Sequence, residues 1–308
     1  MSGITLLVMR ILYILLLWLF IIHVKAQNQD TPYYQLINLK IQDENFFIEH
    51  SHSEEHYIKR ALLKSEIGKY EDAIKDCDTA IKINSKNAEY YFARAFLYEK
   101  LERYKEAIKD YGQGIKLNPT EAGAYNNRGA VNKKLGNNKK AIKDYKNAIR
   151  INPNYAEAYN NRGIAEDDVK KYTQAIKDYN KALDLNPNYN VVYYNRAMTY
   201  LNLGLFSDAM ADYNRAIKFN PDDPEAYNNR GFLKTKMKQY SEAIEDYTKA
   251  IELKPKYATA YNNRGWAKLN LDNYNDAIDD FQMAIILNPN KPIYKNNLKQ
   301  AQERLLKK

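Results

Sequence analysis

Seven arginines recur in this chain at an interval of 34 residues, Arg60, Arg94, Arg128, Arg162, Arg196, Arg230 and Arg264. Each is followed sixteen residues later by an aspartate: Asp76, Asp110, Asp144, Asp178, Asp212, Asp246 and Asp280. A guanidinium offers its donors in a planar fork that fits a carboxylate, so this spacing points to a repeated ion pair. A track of free arginines for acidic ligands would leave the seven aspartates unexplained. The pairs, including Arg128 with Asp144, Arg162 with Asp178, Arg196 with Asp212 and Arg230 with Asp246, are therefore expected to be structural and partly shielded from water. Directly before five of the arginines stand Asn127, Asn161, Asn195, Asn229 and Asn263. A side-chain amide carries both donor and acceptor, the complement of a peptide unit.

Catalytic chemistry finds little to work with. The four histidines, His23, His50, His52 and His56, all precede the repeated arginines or sit at their start, and none is placed with a paired nucleophile. Glu49-His50-Ser51-His52 has metal-binding residue types, but its spacing reads better as a solvated linker. Cys77 is the one cysteine, so no internal disulfide exists, and a buried core thiol is favoured over a reactive one. No glycine-rich phosphate loop appears. No enzyme activity, cofactor or metal is expected.

The elements that must position these residues follow from a proline ladder. Pro119, Pro153, Pro187, Pro221, Pro255 and Pro289 share the 34-residue interval, the mark of a helical solenoid. With proline at position 32, seven units start at Glu54, Ala88, Ala122, Ala156, Asn190, Pro224 and Ala258, the first with Ser85 in the proline's place. In the fourth unit Tyr159, Arg162, Gly163 and Glu166 follow helical spacing, and so do Ala175, Ile176, Tyr179, Ala182 and Leu183. Each unit is thus two amphipathic helices. Position 20 is always alanine and position 8 always alanine or glycine, which lets the helices approach while tyrosines fill the space beside them. Gly68, Gly136 and Gly204 can end first helices in a left-handed turn. Ser207, Ser241 and Asn275 are expected to cap second helices. The Asn-Pro pairs close each unit.

On these residues the chain resembles the tetratricopeptide repeat family: Tyr227-Asn228-Asn229-Arg230-Gly231, Tyr240, Ala243, Tyr247, Ala250 and Pro255 match the family's pattern, and the match spans residues 54–291. The resemblance implies an all-α fold, a right-handed superhelical solenoid of seven helix-turn-helix repeats (54–87, 88–121, 122–155, 156–189, 190–223, 224–257, 258–291). It also implies that first helices line the concave side, where asparagine at this position commonly binds the backbone of an extended peptide. Position 6 points about 150° from the core face of the first helix. Positions 5 and 9 share that exposed side on the same wheel, adding Asn126, Asn160, Asn228 and Asn262 and the apolar Ile164, Met198, Phe232 and Trp266. Inheritance of the Asn-Asn-Arg-Gly run by duplication is the alternative to a binding role. The carboxylate clamp of chaperone-binding members is not matched, since the first unit has Ile58 and Leu62 where it needs lysine and asparagine.

Outside the repeats, residues 1–26 read as a signal peptide, with Arg10, an apolar run over residues 11–22, and Val24-Lys25-Ala26 before a cut at Gln27. An initiation at Met9 and an uncleaved membrane anchor remain open alternatives. Residues 27–53 form a leader that is a helix, a strand or a flexible segment, and residues 292–308 suit a polar-faced C-terminal capping helix. The formal charge of +9 drops to about +7 without Arg10 and Lys25. Most of the 28 tyrosines fall at packing positions, which argues against nucleic acid as partner. The expected function is an exported, periplasmic or secreted, interaction scaffold that holds a protein or extended peptide in its groove. The alternative is a self-associating structural component of the cell envelope.

Overall fold

The computed structural model describes residues 31–51 and 53–307. The expected signal peptide, its cleavage point at Gln27 and the alternative start at Met9 lie outside the described residues. Among the described residues there are sixteen helices and no strand. The chain divides into two compact units, the first ending at Ile151 and the second beginning at Asn152.

The first unit holds α1 (Pro32–Ser51), α2 (Glu54–Glu66), α3 (Tyr70–Ile83), α4 (Ala88–Lys100), α5 (Tyr104–Leu117), α6 (Ala122–Lys134) and α7 (Asn138–Ile151). Helix α1 packs on α2, so most of the leader is helical and covers the first repeat. It buries Ile37 and Ile48 and leaves Tyr33, Leu36, Leu39, Phe46 and Phe47 exposed. The second unit holds α8 (Ala156–Asp168), α9 (Tyr172–Leu185), α10 (Asn190–Asn202), α11 (Phe206–Phe219), α12 (Pro224–Lys236), α13 (Tyr240–Leu253), α14 (Ala258–Leu269), α15 (Tyr274–Leu287) and α16 (Pro292–Leu306). In both units each helix packs on its neighbours in sequence, and α16 lies on α15. No described helix is long and apolar enough to cross a membrane.

Within each repeat the core is a small residue against a large ring. Tyr179 is 1% exposed, and a Cβ added to Gly163 would stand 2.7 Å from its ring. Closer helix approach thus requires glycine at position 8 where the ring lies nearest. Position 24 is a fully buried ring in six repeats and the buried Cys77 in the first. Burial pushes the Cys77 thiol up to about 12, so it stays protonated and unreactive.

The turns follow the repeat, with two departures from expectation. Position 15 is left-handed in all seven repeats: Gly68, Gly136 and Gly204 have φ of 75°, 74° and 73°, and Glu102, Lys170, Lys238 and Asp272 adopt φ of 57–61° without being glycine. Ser207, Ser241 and Asn275 do not cap. The second helices start one residue earlier, at Phe206, Tyr240 and Tyr274, and the preceding residues make no side-chain cap bond. The start at this repeat position holds also in the third repeat, where the residue is Asn138, and it places the polar residue inside the first turn. Caps form on first helices instead, where Ser53, Asn87, Glu121 and Asp223 accept from backbone N–H groups two residues on. In the Asn-Pro links Asn118, Asn152 and Asn186 likewise accept from the backbone two residues later.

The buried tyrosine hydroxyls are not equivalent. Thr235 donates to the Gly231 carbonyl and so accepts from Tyr247 at 3.0 Å. The hydroxyl of Tyr213 is buried with no protein partner, and the residue matching Thr235 is Leu201. The last repeat pairs Leu269 with Phe281, which has no hydroxyl to satisfy. Tyr213→Phe is therefore expected to raise stability by about 1 kcal/mol, and Tyr247→Phe to lower it by a similar amount, in urea denaturation. A loss of stability in both variants would refute the distinction.

Candidate functional site

Each repeated arginine meets the aspartate sixteen residues on, across its own helix pair. Arg162 donates from Nε and Nη2 to the two carboxylate oxygens of Asp178, both at 2.6 Å. The same two-pronged contact joins Arg128 to Asp144, Arg196 to Asp212 and Arg230 to Asp246 at 2.6–3.0 Å. The aspartate side chains in the seven pairs are 4–8% exposed and the arginines 13–22%. For Arg162 burial is the largest single influence and works against the charge, but the Asp178 hydrogen bond and the nearby negative charges together outweigh it and the guanidinium stays above its usual range. Such pairs are worth most as constraints, since removing one partner strands the other charge.

The remaining guanidinium donor ties the repeat to the helix before it. Nη1 reaches Asn45 from Arg60, Asp78 from Arg94, Asn180 from Arg196, Asn214 from Arg230 and Thr248 from Arg264. Position 11 adds a variable supplement. Lys64, Lys234 and Lys268 bond the same aspartate, whereas Tyr98 and Tyr200 lie against the guanidinium faces of Arg94 and Arg196.

The asparagines differ from the helical-wheel expectation. Asn126, Asn160, Asn228 and Asn262 are buried, 1–9% exposed, instead of sharing an exposed face. In the second unit the helix that follows on the same side reaches position 5 through Asn195, Asn263 and Asn297, a contact that an isolated helical wheel does not contain. Asn127, Asn161, Asn195, Asn229 and Asn263 are half-buried. In the second unit the two sets form a relay. Asn297 donates to Asn262, Asn262 to Asn263, Asn263 to Asn228, Asn228 to Asn229, and Asn229 to the hydroxyl of Tyr194, over 2.6–3.3 Å. Separately, Asn195 donates to Asn160 at 3.0 Å. Burial pushes Tyr194 up to about 12, so it remains a neutral hydroxyl able to accept. Asn297 escaped the sequence reading, although Asn296-Asn297 repeats Asn262-Asn263 at the 34-residue interval inside the capping helix.

Beside this relay lie two adjoining cavities that share Phe232, Lys236 and Asn263. One, of about 890 Å³, is lined by Met198, Leu201, Phe206, Asn228 and Asn229 among others. The other, of about 420 Å³, is lined by Trp266, Ile293, Asn262, Asn297 and Lys238 among others. Neither has an acidic residue in its lining. An amide has two N–H donors and two acceptor lone pairs, so the lateral bonds made by Asn263 leave donor and acceptor capacity at the cavity wall. Elsewhere, His50 bonds the Phe46 carbonyl and His56 bonds Glu44, while His52 lies outside the described residues. Among the described residues no group of three or more His, Cys, Asp or Glu side chains is placed to hold a metal.

Family models for the tetratricopeptide repeat match residues 156–189, 191–223, 224–257 and 258–291, and a second model of the same repeat matches 65–102, 100–136 and 133–165. The chain belongs to the tetratricopeptide repeat family. Proteins of this family are generally non-catalytic scaffolds for protein interaction. No curated protein matches the chain in sequence. Among solved structures it is similar to a tetratricopeptide repeat protein from Parabacteroides merdae, at 23% identity and a TM-score of 0.65, with 82% of this chain and all of that one covered. It is similar to YrrB, described as a tetratricopeptide repeat protein with an unusual peptide-binding site, at 22% identity and a TM-score of 0.52, over 61% of this chain and 97% of YrrB. MamA from Desulfovibrio magneticus, in a structure that runs from its residue 41 to its end, aligns at 23% identity and a TM-score of 0.52, over 55% of this chain and 96% of that one.

Because Asp178 is buried against Arg162, Asp178→Ala is expected to cost about 3–5 kcal/mol of unfolding free energy. Lys177→Ala, at the exposed neighbouring position, should stay within about 0.5 kcal/mol. Equal stability of the two variants in chemical denaturation would remove the structural role of the pair.

Proposed function

We propose that this tetratricopeptide repeat protein is a non-enzymatic scaffold that holds an extended peptide segment of a partner along the first helices of its last three repeats. The observation that carries the reading is the pair of adjoining cavities where the amides of Asn229 and Asn263 meet Met198, Phe232 and Trp266. Apolar pockets hold side chains of the segment, and the unspent amide donors and acceptors meet its backbone. The peptide-binding site described for YrrB supports the same use of the fold. Asn161 and Asn195 occupy the corresponding position in the earlier repeats of the second unit and extend the proposed track there, and Asn127 holds that position in the first unit.

A second reading is favoured by one observation. The asparagine amides are bonded to one another along the relay, which gives them a structural role without any ligand. Under it the exposed Phe232 and its apolar neighbours serve self-association.

Trp266 is the natural reporter, as the other tryptophan, Trp18, falls in the N-terminal apolar run. Peptides selected from a random library against the protein should shift Trp266 emission, and Phe232→Ala should weaken their binding about tenfold or more. Selected peptides that leave the emission unchanged and bind Phe232→Ala equally well would refute the groove. A concentration-dependent increase in mass by light scattering that Phe232→Ala abolishes, with no peptide selected, would favour self-association.

We further propose that the protein acts after export, in the periplasm or outside the cell, on the strength of the charged start, apolar run and small residues of the first 26 positions. N-terminal sequencing of the exported protein should begin at Gln27. Retention of the whole segment in a membrane fraction would replace this with an anchored protein.

A further inference from the structure

Repeats that solve one packing problem seven times make their departures informative, and the largest departure in polar chemistry lies in the first unit. Position 25 normally supplies the acceptor for the third guanidinium donor, as Asp78, Asn180, Asn214 and Thr248 do. The residue there that faces Arg128 is Gly112, and the point where its Cβ would stand is 3.7 Å from Arg128 Nη1. Nε and Nη2 of Arg128 hold Asp144, so Nη1 alone is left without a protein acceptor.

That donor belongs to a residue lining a groove of about 570 Å³ between α5 and α7, floored by α6. Lys105 on α5 and Lys140 and Lys143 on α7 also line it, and Asp144, already paired, is the one acid in the lining. All three lysines are exposed, and none makes an ion pair. Gly112 lies on the same stripe of α5 as Lys105 and Ile108, at i, i+3 and i+7. The corresponding three positions elsewhere read Glu71, Glu106 and Lys109, or Ser207, Glu242 and Glu245, or Ser241, Asp276 and Asp279. No other pair of consecutive repeats places lysine at all three. Lys105, Lys140 and Lys143 therefore bring three positive charges to a groove whose one acid is already paired with Arg128, beside an Arg128 donor whose usual acceptor is missing.

We propose that this groove is a second binding site, separate from the amide-lined one, for the carboxylates of an acidic peptide segment of a partner protein. The cations come from three helices, and the apolar Ile108 and Leu135 lie among them, which suits a chain carrying several acidic side chains and an apolar one. The lining contains no aromatic ring on which a nucleic-acid base could stack.

The test uses the full chain and a fluorescein-labelled peptide repeating Glu-Glu-Leu, followed by anisotropy. The peptide should bind, more weakly as salt is raised, and Lys140→Glu combined with Lys143→Glu should weaken it about tenfold or more. Gly112→Asp restores the acceptor used in the first repeat and replaces a mid-helix glycine, so it preserves the fold while occupying Arg128 Nη1. It should weaken the acidic peptide several-fold and leave the Trp266 response to groove peptides unchanged, which separates this site from the proposed one. Unchanged affinity in both variants would overturn the inference, as would competition by inorganic phosphate or oligo-dT at equal charge concentration.

Discussion

A guanidinium enclosed between two helices must find acceptors in fixed directions, and the architecture of each repeat is arranged around that demand. Two of its donors close the repeat on itself through an aspartate, and in five repeats the third reaches back to the preceding helix. A planar fork fixes direction as well as distance, which apolar contact alone does not. The arginine therefore sets register within the hairpin and between hairpins at once. The glycine or alanine opposite each ring sets only how closely the helices approach.

Much of this was legible because it is periodic. The seven arginine and aspartate pairs could be matched from spacing alone, since both series repeat without insertion and each needs the other. Left-handed turns at Gly68, Gly136 and Gly204 were readable from residue type. Those at Glu102, Lys170, Lys238 and Asp272 were not, because nothing in a charged side chain announces positive φ. There the register of the flanking helices imposes a conformation that the residue itself disfavours. The caps expected at Ser207, Ser241 and Asn275 failed because the second helices begin at position 17 in every repeat, including the third where that residue is Asn138, which places the polar residue inside the first turn.

The asparagines of the candidate site were legible as a periodic series, and their surroundings were misread. A helical wheel treats each first helix alone, and on that basis Asn160 and Asn228 belong to the exposed side. In the array the next first helix lies against them, so they are buried and pass hydrogen bonds sideways to position 6. Asparagine pays for its poor helix propensity by joining neighbouring repeats. This gives the amides a purpose independent of any ligand, and it leaves the exposed Phe232 as the apolar part of the wall least engaged in packing, since Met198 and Trp266 also pack against the core.

The relay also has a sense of direction. The three links between helices, Asn297 to Asn262, Asn263 to Asn228 and Asn229 to Tyr194, all pass from donor to acceptor toward the N-terminus, joined by links between adjacent residues. A wall built this way is polar in the geometric sense: its two ends differ, and running the relay backwards would require flipping every amide. An extended chain laid against it encounters a different sequence of donors and acceptors according to which way it runs. The proline period that spaces the repeats is blind to that difference, while the asparagines convert a stack of equivalent hairpins into a surface with a head and a tail.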